Sequence, residues 1–478
     1  MSYPHIMFRK LVCLFGFLCF FNQINAQQYG LFNTKTLFDG FENPAQKTFV
    51  LDYSRQYASN FFVPNLTINA NNEGNAELFR LLARTGLSTT KDSLSQNKYL
   101  NMLLQSPNVY LFNYKIFRSY KYHKELGFSW QLRTDVQFDY NRESLDILDN
   151  YKTNPGYINT PLANSFNSFD RVQSYHQFSL SYRENYNKRL AFGAKFSLLS
   201  GVLYNTLRLA NTSFLFDPSM NEISMNLEGN FRTTFVEGSK LSNKSFLPSF
   251  KNPGLAISLG TTYTAKNGVF VMANIKDLGF IRWKETAYQQ FDQPVIIKSA
   301  SEREVADVEN LIAANVANPK DDNTGFSSPT NARADFLISK PYGRYTPSFI
   351  LSKNLFFEGG EATLVNRFNF NNFSASISPS YSLTNMFLLG AQGMYQTPNF
   401  ELYLGSNNIF NTAGQEKIDK HNGAIGRGYN SLAVYAGIGI KFGYFVEHPQ
   451  NSSYMPGLDD DDEKSFFGRI FSIFSKRR

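Results

Sequence analysis

Cysteine is nearly missing from this chain of 478 residues: the 2 present, Cys13 and Cys19, both lie close to the N-terminus. A small exported scaffold stapled by disulfides is therefore excluded. Tryptophan is equally scarce, at 2, although Phe reaches 47 and Tyr 27. Charged residues are 18%, against roughly 25% in an average soluble domain. Beyond residue 26 no apolar run approaches the ~18 residues that suggest a membrane helix. The 5 histidines are scattered, and no two stand at metal-ligand spacing. There is no His-Glu-x-x-His, no Gly-x-Ser-x-Gly and no phosphate-binding loop. Ser95–Lys98 fits Ser-x-x-Lys but lacks that motif's companions. These absences exclude disorder, collagen and coiled coil, argue against a polytopic helical membrane protein, and leave no catalytic, metal or cofactor constellation. The formal charge of +8 is spread along the chain with no basic stripe, so nucleic acid is not indicated. The expectation is a non-enzymatic protein with no cofactor.

What is present begins with an export signal. Arg9 and Lys10 precede the apolar core Leu11–Phe21, and Ile24-Asn25-Ala26 offers a cleavage site. The core is too short to span a bilayer, so residues 1–26 read as a secretory signal peptide. An exported, cysteine-free, aromatic-rich chain is either a soluble β-protein or a β-barrel in an outer membrane.

Alternation separates the two. In Gly127–Tyr140 the even positions are Phe, Trp, Leu, Thr, Val, Phe and Tyr, and the odd ones are Gly, Ser, Gln, Arg, Asp, Gln and Asp. Ser431–Phe445 follows the same rule, and Phe373–Tyr381 sets Phe, Ala, Ile, Pro and Tyr against serines. Apolar-out, polar-in runs of this length suit a wall with lipid on one side and water on the other. Aromatics near strand ends (Tyr140, Tyr182, Tyr263, Trp283, Tyr381, Tyr395, Tyr444) suit the two bilayer interfaces. The fold class is all-β: a transmembrane antiparallel β-barrel of about 12–16 strands, 14 being the best match. Its expected location is the outer membrane, with lipid as its first partner.

Residues 27–446 form the expected barrel. Long connections are expected over Asn141–Asp170, Leu209–Asn252, Lys284–Arg333 and Asn411–Arg427, with short turns elsewhere. Asn75–Gln105 has helical spacing (Leu78, Leu81, Leu82, then Leu100, Leu103, Leu104) and is predicted as a plug or rim helix. A second helix is predicted at Ser301–Asn318, inside the long loop 284–333. Residues 447–478 read as a periplasmic tail, with the acidic run Asp459–Glu463 and then SFFGRIFSIFSKRR, a basic amphipathic stretch suited to an anionic surface or else a solvated end.

The strand phase points Arg133, Asp135, Asp139, Arg183, Lys195 and Lys441 into the lumen. Their mixed signs suit paired wall residues better than an ion filter. Two motifs carry a resemblance. Asn43-Pro44-Ala45 resembles the N-terminal turn of barrels similar to the long-chain fatty-acid transporters, and of the PorV and PorP/SprF types linked to secretion and gliding in Bacteroidota. Asp277-Leu278-Gly279-Phe280-Ile281-Arg282-Trp283 is similar to the signature of a related Bacteroidota outer-membrane family without assigned function. In physical terms Phe280, Arg282 and Trp283 read as an interfacial anchor, with Asp277 and Gly279 at its start. The resemblance implies the barrel and its location. Two functions stay open: a docking or assembly component for a protein partner at the periplasmic or outer face, and a transporter of a small hydrophobic molecule through a plugged barrel.

Overall fold

Strands whose side chains alternate in polarity can bury one face and expose the other only if the sheet curls shut, because an open edge leaves backbone groups unpaired. The computed structural model describes residues 29–49, 55–73, 100–118, 124–141, 143–144, 147, 161–234, 247–284, 286–297, 325–383, 386–409 and 430–443. In chain order its strands are β1 (Tyr57–Ser59), β2 (Asn65–Glu73), β3 (Leu100–Gln105), β4 (Asn108–Arg118), β5 (Lys124–Asn141), β6 (Leu162–Ala163) and β7 (Ser168–Asn185). There follow β8 (Leu190–Asp217), β9 (Glu222–Thr233), β10 (Asn252–Thr264), β11 (Phe270–Trp283), β12 (Ala287–Ile297), β13 (Phe326–Pro329) and β14 (Arg333–Ser339). The last six are β15 (Tyr345–Asn354), β16 (Gly360–Phe370), β17 (Phe373–Ser382), β18 (Phe387–Gln396), β19 (Phe400–Ser406) and β20 (Asn430–Phe442).

The wall is a closed antiparallel barrel of 14 strands. β1 and β2 act as one broken strand, as do β3 with β4 and β13 with β14. β20 pairs with β19 on one side and with β1 and β2 on the other, which closes the ring. Inward residues are buried and outward ones exposed along β10, β14, β15 and β17, and the β17 serines all point in. The outer face carries Leu180, Phe196, Leu259, Phe349, Ile377 and Leu404, all exposed.

One mouth is formed by short turns at 186–189, 265–269, 340–344, 371–372 and 397–399. At the opposite rim the expected long connections contain strands. The outer half of β8 pairs with β9, and β9 pairs with β12, so a small sheet stands beyond the wall. Phe214, Ile223, Met225, Phe231, Phe291 and Val295 pack as its apolar core. Leu209–Asn252 and Lys284–Arg333 are thus not plain loops.

The helix predicted over Asn75–Gln105 is overturned at its end, where Leu100–Gln105 is β3. Leu103 lies there at strand spacing and is buried. Its cross-strand partner Phe138 on β5 decides the conformation, which a local leucine spacing does not reveal. The rest of that segment, the signal peptide, Ser301–Asn318, Asn411–Arg427, Tyr444 and the tail from Glu447 lie outside the described residues. Of the expected interfacial aromatics, Tyr263, Tyr381 and Tyr395 are exposed, whereas Tyr140 and Trp283 are buried.

A charge on the outer belt tests the lipid-facing assignment. Leu259→Arg is expected to lower stability in phospholipid vesicles by about 2–4 kcal/mol, the cost of a basic side chain near mid-bilayer. Equilibrium unfolding of the reconstituted barrel reads it.

Candidate functional site

A barrel of eight strands can be filled by its own side chains, but one of this width cannot. The filler is the N-terminal segment 29–49, which lies inside the wall. It holds a 3-10 turn (Tyr29–Leu31) and one helical turn, α1 (Asp39–Glu42). Leu37, Phe41 and Ala45 are fully buried. The segment is shaped by its own polar side chains. Asp39 Oδ2 accepts the backbone N–H groups of Thr34 and Lys35 at 3.0 and 3.1 Å, and the Asp39 N–H donates to Thr36 Oγ1 at 3.1 Å. Asn43 Oδ1 accepts the Ala45 N–H at 3.0 Å across Pro44, a turn that the short Asn side chain and the fixed proline φ both favour. This Asn43-Pro44-Ala45 turn presses on bare wall backbone. A Cβ at Gly193 would overlap the Pro44 carbonyl, and one at Gly260 would overlap Asn43 Oδ1.

Wall side chains grip the plug from many sides. Arg183 donates to the Ala45 carbonyl at 2.9 Å, and Arg367 to those of Gly30, Phe32 and Asn33 at 2.8–2.9 Å. Glu401 accepts the Leu37 N–H at 2.6 Å. Lys115 reaches the Gly40 carbonyl at 3.1 Å, Thr48 Oγ1 at 2.9 Å and Glu125 at 3.0 Å. The plug's own anion, Glu42, pairs with Lys276 and accepts the Tyr110 hydroxyl at 2.6 Å. Burial alone would raise the Glu42 carboxyl, but Lys276, Arg333 and Lys195 outweigh it and hold it at about 2. The Glu42 carboxyl is therefore held in its ionised form.

A second hub lies beside the first. Asp277 sits on β11 in the left-handed region, at φ 52°, which Asp tolerates better than most residues. It marks a bulge: Lys276 and Asp277 both point inward, opposite a register shift between Ile257 and Leu259 on β10. Ser258 fills the bulge, accepting the Asp277 N–H at 2.8 Å and donating to its carboxylate at 3.2 Å. Lys195 at 3.0 Å, Arg133, and Gln177 at 2.8 Å complete the carboxylate's partners. On the other side Thr330 donates to the Asp277 carbonyl at 2.6 Å, where β13 breaks from β14. Lys195 also donates to the Phe41 carbonyl at 3.3 Å, so the hub and the plug share a cation.

Two cavities flank the plug. The one towards the long-connection rim, about 100 Å³, is lined by Phe32, Phe38, Leu104, Val136 and Phe357 together with Glu42, Arg133 and Lys276. The one at the short-turn mouth, about 680 Å³, is bounded on its plug side by Asn33, Thr34, Lys35, Gln46 and Lys47.

With this architecture in hand, one family model matches residues 52–407, which takes in most of the wall: the family of unknown function DUF5723. The chain belongs to this family. No curated protein sequence matches this DUF5723 chain. Among solved structures it is similar to the P. putida toluene transporter TodX at 10% identity and TM-score 0.41, covering 85% of this chain and 94% of that one. The TodX deltaS2S3 mutant, a monoaromatic hydrocarbon channel, gives 9% identity and TM-score 0.42 over 88% and 96%. The translocator domain of the autotransporter NalP from Neisseria meningitidis gives 8% and 0.31 over 81% and 88%.

All six charged residues proposed for the lumen lie buried on the inward face. Arg133, Lys195 and Arg183 join the plug network as described. Asp135 accepts the Asn331 amide at 2.8 Å, Asp139 accepts that of Gln137 at 3.1 Å, and Lys441 lies 4.9 Å from the Phe117 ring. Asn43, Pro44 and Ala45 belong to the plug itself. In the DUF5723 chain's Asp277–Trp283 motif, Phe280 and Arg282 are exposed, and Gly279 abuts the Leu255 carbonyl, where a Cβ would overlap. Trp283 corrects the anchor reading. It is fully buried, donates to Ser328 at 2.7 Å and packs 5.4 Å from Tyr204. The cause is the bulge, which adds one residue and switches every later side chain to the other face. Asp277 is likewise an interior charge and not part of an interface. Sequence reasoning missed Lys115, Glu125, Lys276, Arg367 and Glu401. Their signal was a charge in phase with the inward positions of its strand, as Glu125 is with Gly127 and Ser129. Glu42 had no such signal, since the plug has no strand period.

Two outcomes are expected. Lys276→Met strands the Glu42 carboxylate and costs about 3–5 kcal/mol, the usual penalty for removing one partner of a buried pair. Adding Glu42→Gln restores much of it, as a double-mutant cycle in detergent reads out. Gly193→Val drives a side chain into Pro44 and displaces the plug, seen as new protease cuts between residues 29 and 49 while the heat-modifiable gel shift of the barrel persists.

Proposed function

We propose that this protein is an outer-membrane barrel that lets a small, partly hydrophobic solute past a plug that must shift. The observation that carries this reading is the pair of cavities on opposite sides of segment 29–49. The outer one mixes phenylalanine rings with charge, and the plug between them is held only by noncovalent contacts. Polar contacts can exchange with water as the plug moves, while the packing of Leu31, Leu37, Phe38 and Phe41 on Tyr110, Met394, Tyr403 and Tyr435 opposes that movement. The short-turn mouth then faces the periplasm and the outer sheet of β8, β9 and β12 faces the exterior. No step of this function requires catalysis.

A second reading, docking or assembly with a surface partner, is favoured by that outer sheet. It has its own apolar core and continues β8 beyond the wall.

Planar-bilayer recordings and vesicle uptake of labelled small aromatic and alkyl solutes separate the two. The full chain is expected to conduct little, deletion of residues 29–49 to open a steady pore, and Lys276→Met to raise solute uptake several-fold. Uptake equal to that of empty vesicles in all three proteins overturns the passage reading. Deletion of β9 and its flanking turns should leave uptake intact and abolish partner capture if docking is the role.

A further inference from the structure

The vestibule at the short-turn mouth has an uneven charge. Among the described residues its lining includes Lys35, Lys47, Arg183, Lys188, Arg189 and Arg367, and no Asp or Glu. Several of these cations already have carbonyl partners, and Asp39 and Glu125 stand behind the lining, close enough to act on Lys35 and Arg367 and on Lys47 and Arg183. They also crowd one another. Lys35 is pushed below the usual lysine range by burial and by Lys47 and Arg367, and Lys47 to about 8 by burial and Arg183, with Asp39 and Glu125 offsetting only part of each shift. An anion in the vestibule would relieve that repulsion. The space, about 680 Å³, suits several residues of extended peptide better than a single small ion.

A matching segment is tethered beside it. β20 ends at this mouth: the Lys441 N–H donates to the Asn399 carbonyl in the turn between β18 and β19, at 2.8 Å. Arg55 holds the Gly443 carbonyl there at 2.8 Å. Gln396, which lines the vestibule, lies on β18, two strands away, or roughly 10 Å at normal strand spacing. Asp459 to Asp462 and Glu463 follow sixteen residues after Gly443, a span of at most about 58 Å.

We infer that the vestibule is a binding site for an acidic peptide segment, and that its occupant is the chain's own run from Asp459 to Glu463. Tethering supplies that run at an effective concentration on the order of millimolar. Five carboxylates then face six cations in a recess partly shielded from solvent, where salt screening is weaker than on an open surface.

Binding can be read directly, so the outcome does not depend on whether solute passes the plug. A fluorescent peptide spanning residues 458–463 is titrated at low ionic strength into the full chain and into a chain lacking residues 447–478. The shortened chain is expected to bind it, to lose it as salt rises, and to bind at least about tenfold more tightly than the full chain, whose own run competes. Lys188→Glu with Arg189→Glu, both exposed turn residues, should weaken peptide binding to the shortened chain about tenfold. Zero-length carbodiimide coupling of the full chain should join the acidic run to Lys188 within one molecule. Failure of the shortened chain to bind overturns the site. Equal affinity of the two chains, coupling only between molecules, or inorganic phosphate binding as tightly as the peptide overturns the assignment of its occupant.

Discussion

A fourteen-strand tube is too wide for its wall to fill, and every other feature of this protein answers to that constraint. The space is closed by a chain segment that is not part of the wall. That segment has to be held by contacts that survive burial. A buried charge is tolerated only beside an opposite one. Glu42 therefore meets Lys276, Glu125 meets Lys115, and Asp277 meets Lys195 and Arg133. The wall's cations and the plug's carbonyls and carboxylate form one connected polar interior.

The bulge at Asp277 shows how local backbone geometry serves that interior. A regular β11 would aim alternate residues inward from Met272 onward and leave Trp283 outside. The extra residue brings Lys276 and Asp277 inward together, one towards the plug and the other towards Lys195 and Arg133. It also turns Ile281 and Trp283 into the barrel, where they pack with Tyr175 and Tyr204. Close backbone approach recurs at Gly193 and Gly260, whose missing side chains leave room for the Asn43-Pro44-Ala45 turn.

The two faces of the plug differ in chemistry. Aromatic rings and paired charges border the cavity towards the long-connection rim, while the vestibule at the short-turn mouth is bordered, among the described residues, by cations alone of the ionisable side chains. The plug contributes to both. The segment that fills the lumen thus also sets the electrostatic character of each mouth.

Sequence alone determined the barrel, a range of about 12–16 strands that includes the 14 of the wall, and the inward phase of Arg133, Asp135, Asp139, Arg183, Lys195 and Lys441. The reason is that side-chain direction in a strand repeats every two residues, so the wall is written in local order. Leucine spacing points to a plug or rim helix at Asn75–Gln105, whose final residues are wall strand, and gives no sign of the plug around Asn43. A plug has no period of its own and is defined only by the cavity around it. Whether Trp283 points to lipid or inward depends on one inserted residue, and that residue is stabilised by Ser258 and Thr330, distant in the chain. Which cation meets which carboxylate follows from the closure of the ring. Those choices belong to the tertiary structure because each joins groups that only the completed barrel brings within reach.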